Sequence, residues 1–207
     1  MKIIPETLRQ ILGPVKTEEA VLKDISFSAK SGETVAFIGS TGSGKSSLIQ
    51  LIPRFYDRAS GNIYVDGQKI EDLDINTLRS KIGFVPQKAH LFSGTIEENI
   101  RFGKPDATMD EIIHAAKIAQ AYDFIMEKPH QFQEQIVEGV TNVSGGQKQR
   151  LSIARALIRK PEIYIYDDSF SALDFKTDAR LRKALKPEIK NAIVFLVAQL
   201  VSTILDA

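Results

Sequence analysis

Cysteine is absent from the 207 residues. That excludes disulfides, thiolate metal sites and a cysteine nucleophile, and it allows cytosolic chemistry without requiring it. Histidine is scarce: His90, His114 and His130 are scattered without ligand spacing, so each is expected on the surface or in a loop. Charge of one sign is also lacking. Lys and Arg number 27 against 26 for Asp and Glu, a net charge of +1. A dedicated nucleic-acid binder normally carries a basic excess, so no nucleic-acid partner is expected. Long apolar runs are missing as well. The longest, such as 193–198, match a buried strand and fall far short of the roughly 20 residues of a membrane span. The opening MKIIPETLRQ has no signal-peptide core. Membrane-embedded and secreted readings fall; a membrane-attached partner stays open. No repeat or low-complexity tract is visible.

What is present is a globular composition, 43% hydrophobic and 26% charged. Apolar, β-branched runs at 34–38, 62–65, 82–85, 163–166 and 192–198 read as strands. The last two are nearly unbroken, as in central parallel strands buried on both faces. Helices are expected from Gly44 to Ile52, ended by Pro53, and from Thr108 to about Glu127, opened by a Thr108/Glu111 capping box. Two more are expected from Ser144 to about Arg159, opened by a Ser144/Gln147 box, and from Lys176 to Leu185, stopped by Pro187. Val65-Asp66-Gly67-Gln68 reads as a hairpin turn. The pattern predicts an α/β fold: a parallel-sheet core, a small antiparallel β piece and a helical insertion near 88–155. Ile3 to Leu12 reads as a short helix broken at Gly13-Pro14.

Gly39-Ser40-Thr41-Gly42-Ser43-Gly44-Lys45-Ser46 matches G-x-x-x-x-G-K-[ST], between a predicted strand and a predicted helix. Small residues let backbone N–H groups converge on phosphate oxygens at a helix N-terminus. Lys45 is expected to reach the terminal phosphates and the Ser46 hydroxyl to hold Mg²⁺. Ser47 beside them joins the phosphate-binding set. The bland alternative is a glycine-rich turn without a ligand. Strand 163–166 ends in Asp167 and Asp168. In P-loop proteins a carboxylate there holds Mg²⁺, which assigns Asp167. Asp168 points to the other side of the strand end, towards a γ-phosphate and an attacking water. Alone, the pair would read as two solvated acids.

Asn142-Val143-Ser144-Gly145-Gly146-Gln147-Lys148-Gln149-Arg150, followed by Leu151-Ser152-Ile153-Ala154-Arg155-Ala156-Leu157, is a capped helix start with two glycines. An ordinary cap explains Ser144 and Gln147 but not two glycines in a first turn, where they cost helix stability. A free N–H cluster suited to an anion explains both. Lys148, Arg150, Arg155 and Arg159 are spaced along the helix and read as a mostly solvated face.

This stretch closely resembles the signature of ABC-type ATPases. Phe84-Val85-Pro86-Gln87 is similar to that family's Q-loop and Ser171-Ala172-Leu173-Asp174 to its D-loop. Leu91-Phe92-Ser93-Gly94-Thr95-Ile96-Glu97-Glu98-Asn99-Ile100 is similar to the exporter branch. The resemblance implies one RecA-like P-loop NTPase domain over 1–207. Residues 21–87 and 156–207 would form the core with its β piece, and 88–155 the helical subdomain, preceded by an atypical segment, 1–20. It implies ATP and Mg²⁺ as cofactors, with Ser46, Gln87 and Asp167 on the metal. It implies Asp168, Gln87 and Gln199 as catalytic residues, and Ser144, Gly145, Gly146 and Gln147 as nucleotide contacts in trans. The implied partners are a second ABC domain, packed head to tail as a homo- or heterodimer, and a transmembrane domain. The implied location is the cytoplasmic side of a membrane, with this isolated chain soluble.

Four departures shape the expected activity. Asp168 stands where the family has a catalytic Glu, and Gln199 where it has a His. Residues 1–24 lack the aromatic that stacks the adenine, so base selectivity is expected to be poor. The chain stops soon after Gln199, which reads as a truncation. The first two resemble the degenerate half of an asymmetric exporter and imply slow hydrolysis. The alternative is a non-hydrolysing structural or regulatory ATP-binding module. A DNA-repair or chromosome-maintenance ATPase is disfavoured by the missing cysteines and heptads.

Overall fold

The computed structural model of the protein describes residues 21–137 and 142–198. Thr34–Ile38 (β1), Ile82–Val85 (β4), Ile163–Asp167 (β7) and Ile193–Ala198 (β8) form a parallel four-stranded sheet in the order β1-β8-β7-β4. β7 and β8 are the apolar runs IYIYD and IVFLVA, and they take the two central places. Such strands bury side chains on both faces, which only a covered parallel sheet provides.

Alternation along β7 and β8 divides the core in two. Tyr164, Tyr166, Val194 and Leu196 face one side, with Lys45–Leu51 (α1) absent from it. That side holds the buried residues of Ile96–Arg101 (α3), Met109–Ile118 (α4), Gly145–Leu157 (α6) and Phe175–Glu188 (α7). Ile163, Ile165, Phe195 and Val197 face the other, against Ile49 of α1, Leu78 of Ile75–Ser80 (α2) and Val65 of a hairpin. Helices on both faces of a parallel sheet define the α/β architecture the sequence predicts. The hairpin joins Tyr64–Val65 (β2) to Gln68–Lys69 (β3). Asp66 and Gly67 both have positive φ, 52° and 75°, as a tight hairpin turn demands.

Strand register places the chemistry. Ile38 pairs with Ala198, Asp167 with Val197, and Val85 with Tyr166. The carboxyl ends of the four strands therefore share one edge, where ligands of open α/β sheets bind.

Several expected elements differ. The helix from Thr108 to Glu127 is two helices, α4 and Tyr122–Met126 (α5). Gln120 turns back at φ 57°, and Ala121 N–H bonds to Ala116 C=O at 2.7 Å. Buried alanines at 115, 116, 119 and 121 permit that tight reversal. Pro187 lies inside α7 and does not stop it, because Ile189 beyond it packs on the core and its N–H still bonds to Leu185 C=O at 3.1 Å. The strand expected at 62–65 is only Tyr64–Val65. A second small antiparallel ladder, Gly94–Thr95 (β5) with Gln135–Ile136 (β6), was not anticipated. The helix expected over Ile3–Leu12 lies outside the described residues. No helix among the described residues is long and apolar enough to cross a membrane.

Candidate functional site

The loop after β1 turns through Gly42 and Gly44, at φ 83° and 87°, before α1 begins. These are left-handed conformations that glycine adopts without steric cost. Gly44 is also pinned from outside: a Cβ there would come within 3.0 Å of both Val21 and Leu22 side chains. No side chain caps α1, whereas Asp74, Thr95, Thr108, Ser144 and Asp174 cap five other helices. The first bond of α1 runs from Leu48 N–H to Gly44 C=O, so the N–H groups of residues 45–47 precede it. An N-terminus built this way offers its donors and its positive dipole end to an anion. The Lys45 ammonium lies across the loop, donating to Gly39 and Ser40 carbonyls at 2.7 Å and to Ser43 Oγ at 3.1 Å.

Ser46 faces the end of β7. Its hydroxyl donates to Asp167 Oδ1 at 2.7 Å. Asp167 is buried, and that burial pushes its carboxyl above the ordinary Asp value. Hydrogen bonds from Ser46 and Gln50 and the charge of Lys45 oppose the rise; the neighbouring Asp168 charge adds to it. A buried carboxylate beside a hydroxyl, next to an anion-accepting turn, is a hard-oxygen donor set that fits Mg²⁺. Among the described residues no three His, Cys, Asp or Glu side chains form a metal cluster. Mg²⁺ does not require one, since it takes one or two carboxylates and completes its shell with phosphate and water.

Asp168 follows in the left-handed region at φ 46°. Its N–H donates to Val197 C=O at 3.1 Å and its C=O accepts from Ser171 Oγ at 2.7 Å. Its carboxylate accepts from Gln87 Nε2 at 3.2 Å. The two acids thus take different partners, Asp167 the phosphate-loop helix and Asp168 the loop after β4.

α6 opens with both halves of the expected box: Ser144 N–H to Gln147 Oε1 at 2.9 Å, and Gln147 N–H to Ser144 Oγ at 3.2 Å. Its two glycines differ. A Cβ at Gly146 would lie 3.2 Å from Ala172 C=O, so that glycine lets the 171–174 segment approach. A Cβ at Gly145 would meet nothing within 4 Å, and Ser144 is exposed beside it. Among the described residues no hydrogen bond joins residues 144–147 to residues 39–47. The phosphate loop, Asp167, Asp168 and Gln87 are brought to one edge; the turn at 144–145 is exposed. Gln199 lies outside the described residues, next to Ala198 at the end of β8.

The basic face expected along α6 is only partly solvated: Arg159 is exposed and Lys148 half-buried, but Arg155 and Arg150 pack inward. Arg155 donates to Asn99 C=O, His90 C=O and Asn99 Oδ1 at 2.7–2.9 Å, beneath the Phe92 and Phe102 rings. Burial lowers its pKa to about 10. Arg150 covers the Phe124 ring and donates to Gln120 C=O at 2.7 Å. Stripe spacing alone cannot reveal that these stems and heads pack inward. Gln50 was also missed, although its place four residues after Ser46 sets it on the same face of α1. His114 lies on α4, with its Nε2 3.2 Å from Glu188.

A family model described as ABC transporter matches residues 22–171. YfiB, an ABC transporter ATP-binding protein of Bacillus subtilis, is 48% identical over 190 residues, 92% of this chain and 33% of that protein. YgaD of the same organism, whose name assigns it to multidrug export as an ATP-binding/permease protein, is 46% identical over 192 residues. Those cover 93% of this chain and 33% of YgaD. The chain thus spans about a third of the length of the relatives it matches. A solved bacterial Atm1-family ABC exporter with ATP bound superposes with a TM-score of 0.87 at 36% identity. That match covers 91% of this chain and 33% of the exporter chain.

Proposed function

The chain belongs to the ABC transporter family, and from that premise we propose that it binds Mg·ATP at the strand-end site and hydrolyses it slowly, as the ATP-binding part of an exporter. The observation that carries the reading is the hydrogen bond from Ser46 to Asp167, which sets the magnesium hydroxyl and carboxylate of a P-loop ATPase side by side.

In this reading the N–H groups of residues 45–47 and the Lys45 ammonium grip the β- and γ-phosphates. Ser46, Asp167 and Gln87 would hold Mg²⁺, which would supply neutralisation of the phosphate charge. Asp168, with the Gln87 amide on its carboxylate, orients a water and takes its proton. The water oxygen bonds to the γ-phosphorus, the bond to the bridging oxygen breaks, and ADP and phosphate leave. Asp is one methylene shorter than the Glu expected there, and a misplacement of about 1 Å costs on the order of a hundredfold. Gln199 supplies an amide where the family resemblance expects an imidazole, so it orients water without proton chemistry.

The exposed Ser144, with open space at Gly145, supports a role for residues 144–147 towards ATP held by a second ABC domain, in a homo- or heterodimer. The names of the relatives support a permease partner, and membership of the transporter family supports a place on the cytoplasmic side of a membrane. Steady-state phosphate release at saturating Mg·ATP tests the chemistry, with Lys45→Ala as background. Release well below about 1 s⁻¹ but above background supports slow hydrolysis. Release at background with ATP still bound favours the non-hydrolysing module.

A further inference from the structure

Gln87 donates to Asp168, yet it sits on a loop with little backbone support of its own. Pro86, just before it, has no N–H to give. The two carbonyls leading into the loop are held instead by side chains from distant elements. Val85 C=O accepts from Ser169 Oγ at 2.9 Å, and Ser169 is fully buried. Pro86 C=O accepts from Gln149 Nε2 at 2.9 Å. Gln149 is 1% exposed in α6, and Ser152 and Ile153, three and four residues on along the same face, are buried too. A buried glutamine on a face of small and apolar side chains is costly unless its amide is used.

We propose that Gln149 is a positioning residue for the Gln87–Asp168 pair. Its amide fixes the Pro86 carbonyl, and so the direction in which Gln87 leaves the sheet. It rests on the ATPase reading for its consequence in catalysis, but the positioning itself is a property of this chain. The same helix starts with the open Ser144–Gly145 turn, so a single rigid element carries both that turn and the support of Gln87. Gln149 touches neither phosphate nor metal in this arrangement; it acts through Gln87.

The test replaces the donor while keeping the shape: Gln149→Met, with Gln149→Glu as a second variant that stays polar but cannot donate at neutral pH. Hydrogen–deuterium exchange is read on peptides covering 85–90 and, as internal control, on peptides covering 39–50. The expected result is exchange in 85–90 faster by roughly tenfold, the loss of one ordinary hydrogen bond, with 39–50 unchanged. ATP affinity without Mg²⁺ should stay at the parent value. Turnover, where it is measurable, should fall through kcat at constant KM, a split that general destabilisation does not give. Unchanged exchange in 85–90 overturns the proposal, and so does equal acceleration in both peptides. Should both variants unfold, the Gln149 side-chain amide protons of the parent decide the matter by NMR. Slow exchange supports the positioning bond, and exchange at the free-amide rate refutes it. Failure of ATP to bind the parent would remove the ATPase reading and leave the exchange result standing.

Discussion

The Ser46 hydroxyl and the Asp167 carboxylate, 121 residues apart in sequence, meet in a 2.7 Å hydrogen bond. It links the first turn of α1 to the end of β7, and it fixes where a Mg²⁺ shared with the phosphates would sit. Ser46→Ala and Asp167→Asn should each weaken ATP binding in the presence of Mg²⁺ by about tenfold or more, with little change when Mg²⁺ is chelated. Titration calorimetry with and without EDTA reads the difference. Equal losses under both conditions would place the defect in the loop and not in metal binding.

The two glycines that open α6 should respond in opposite ways. Gly146→Ala pushes a methyl towards Ala172 C=O at 3.2 Å and should cost about 1 kcal/mol. Gly145→Ala enters open space and should leave stability unchanged or raise it by about 0.5 kcal/mol. Urea melts compare them. Gly145→Ala and Ser144→Arg should both weaken ATP-dependent association while sparing ATP binding by the single chain, seen by sedimentation.

Tyr166 is buried in β7 between Tyr164 and Phe170, and its hydroxyl has no hydrogen-bond partner among the described residues. Burial raises its pKa above the ordinary tyrosine value, so it stays protonated. Tyr166→Phe removes the unsatisfied group and keeps the ring. It should stabilise the chain by about 1 kcal/mol. A destabilised variant would mean that the hydroxyl has an ordered water as partner.

Asp168 holds φ 46°, a conformation that Asp tolerates better than Glu. Asp168→Glu should therefore lower stability by about 0.5–1 kcal/mol while raising phosphate release modestly. Gln199→His alone should change the rate hardly at all. The double change should gain most, because groups that act as a unit are non-additive. A double variant no faster than the parent would shift the cause of slow turnover away from these two side chains.

Much of this was legible in the sequence because it depends on local pattern. The glycines at 42 and 44, the box at Ser144 and Gln147 and the apolar runs of β7 and β8 each have a local physical reason. The box at Thr95 and Glu98 was equally local and equally readable, yet α3 was not anticipated. What was illegible depends on three-dimensional neighbours. Nothing near Arg155 in sequence announces the carbonyls of His90 and Asn99. Nothing near Gln120 announces that Arg150 will hold its carbonyl while the chain reverses. Pro187 reads as a stop until the packing of Ile189 on the core beyond it is known. Partners such as Gln149 with Pro86 lie 63 residues apart and are set only by the fold.

The central claim is that the turn between β1 and α1 binds the phosphates of Mg·ATP, and the most direct measurement is ATP titration of the parent chain beside Lys45→Ala. The parent should bind ATP in a saturable manner, and the variant should lose at least about tenfold in affinity, as expected when a charge-assisted contact of about 1.5–3 kcal/mol is removed. Circular dichroism should show both chains equally folded. Equal affinity in two folded chains would contradict the account.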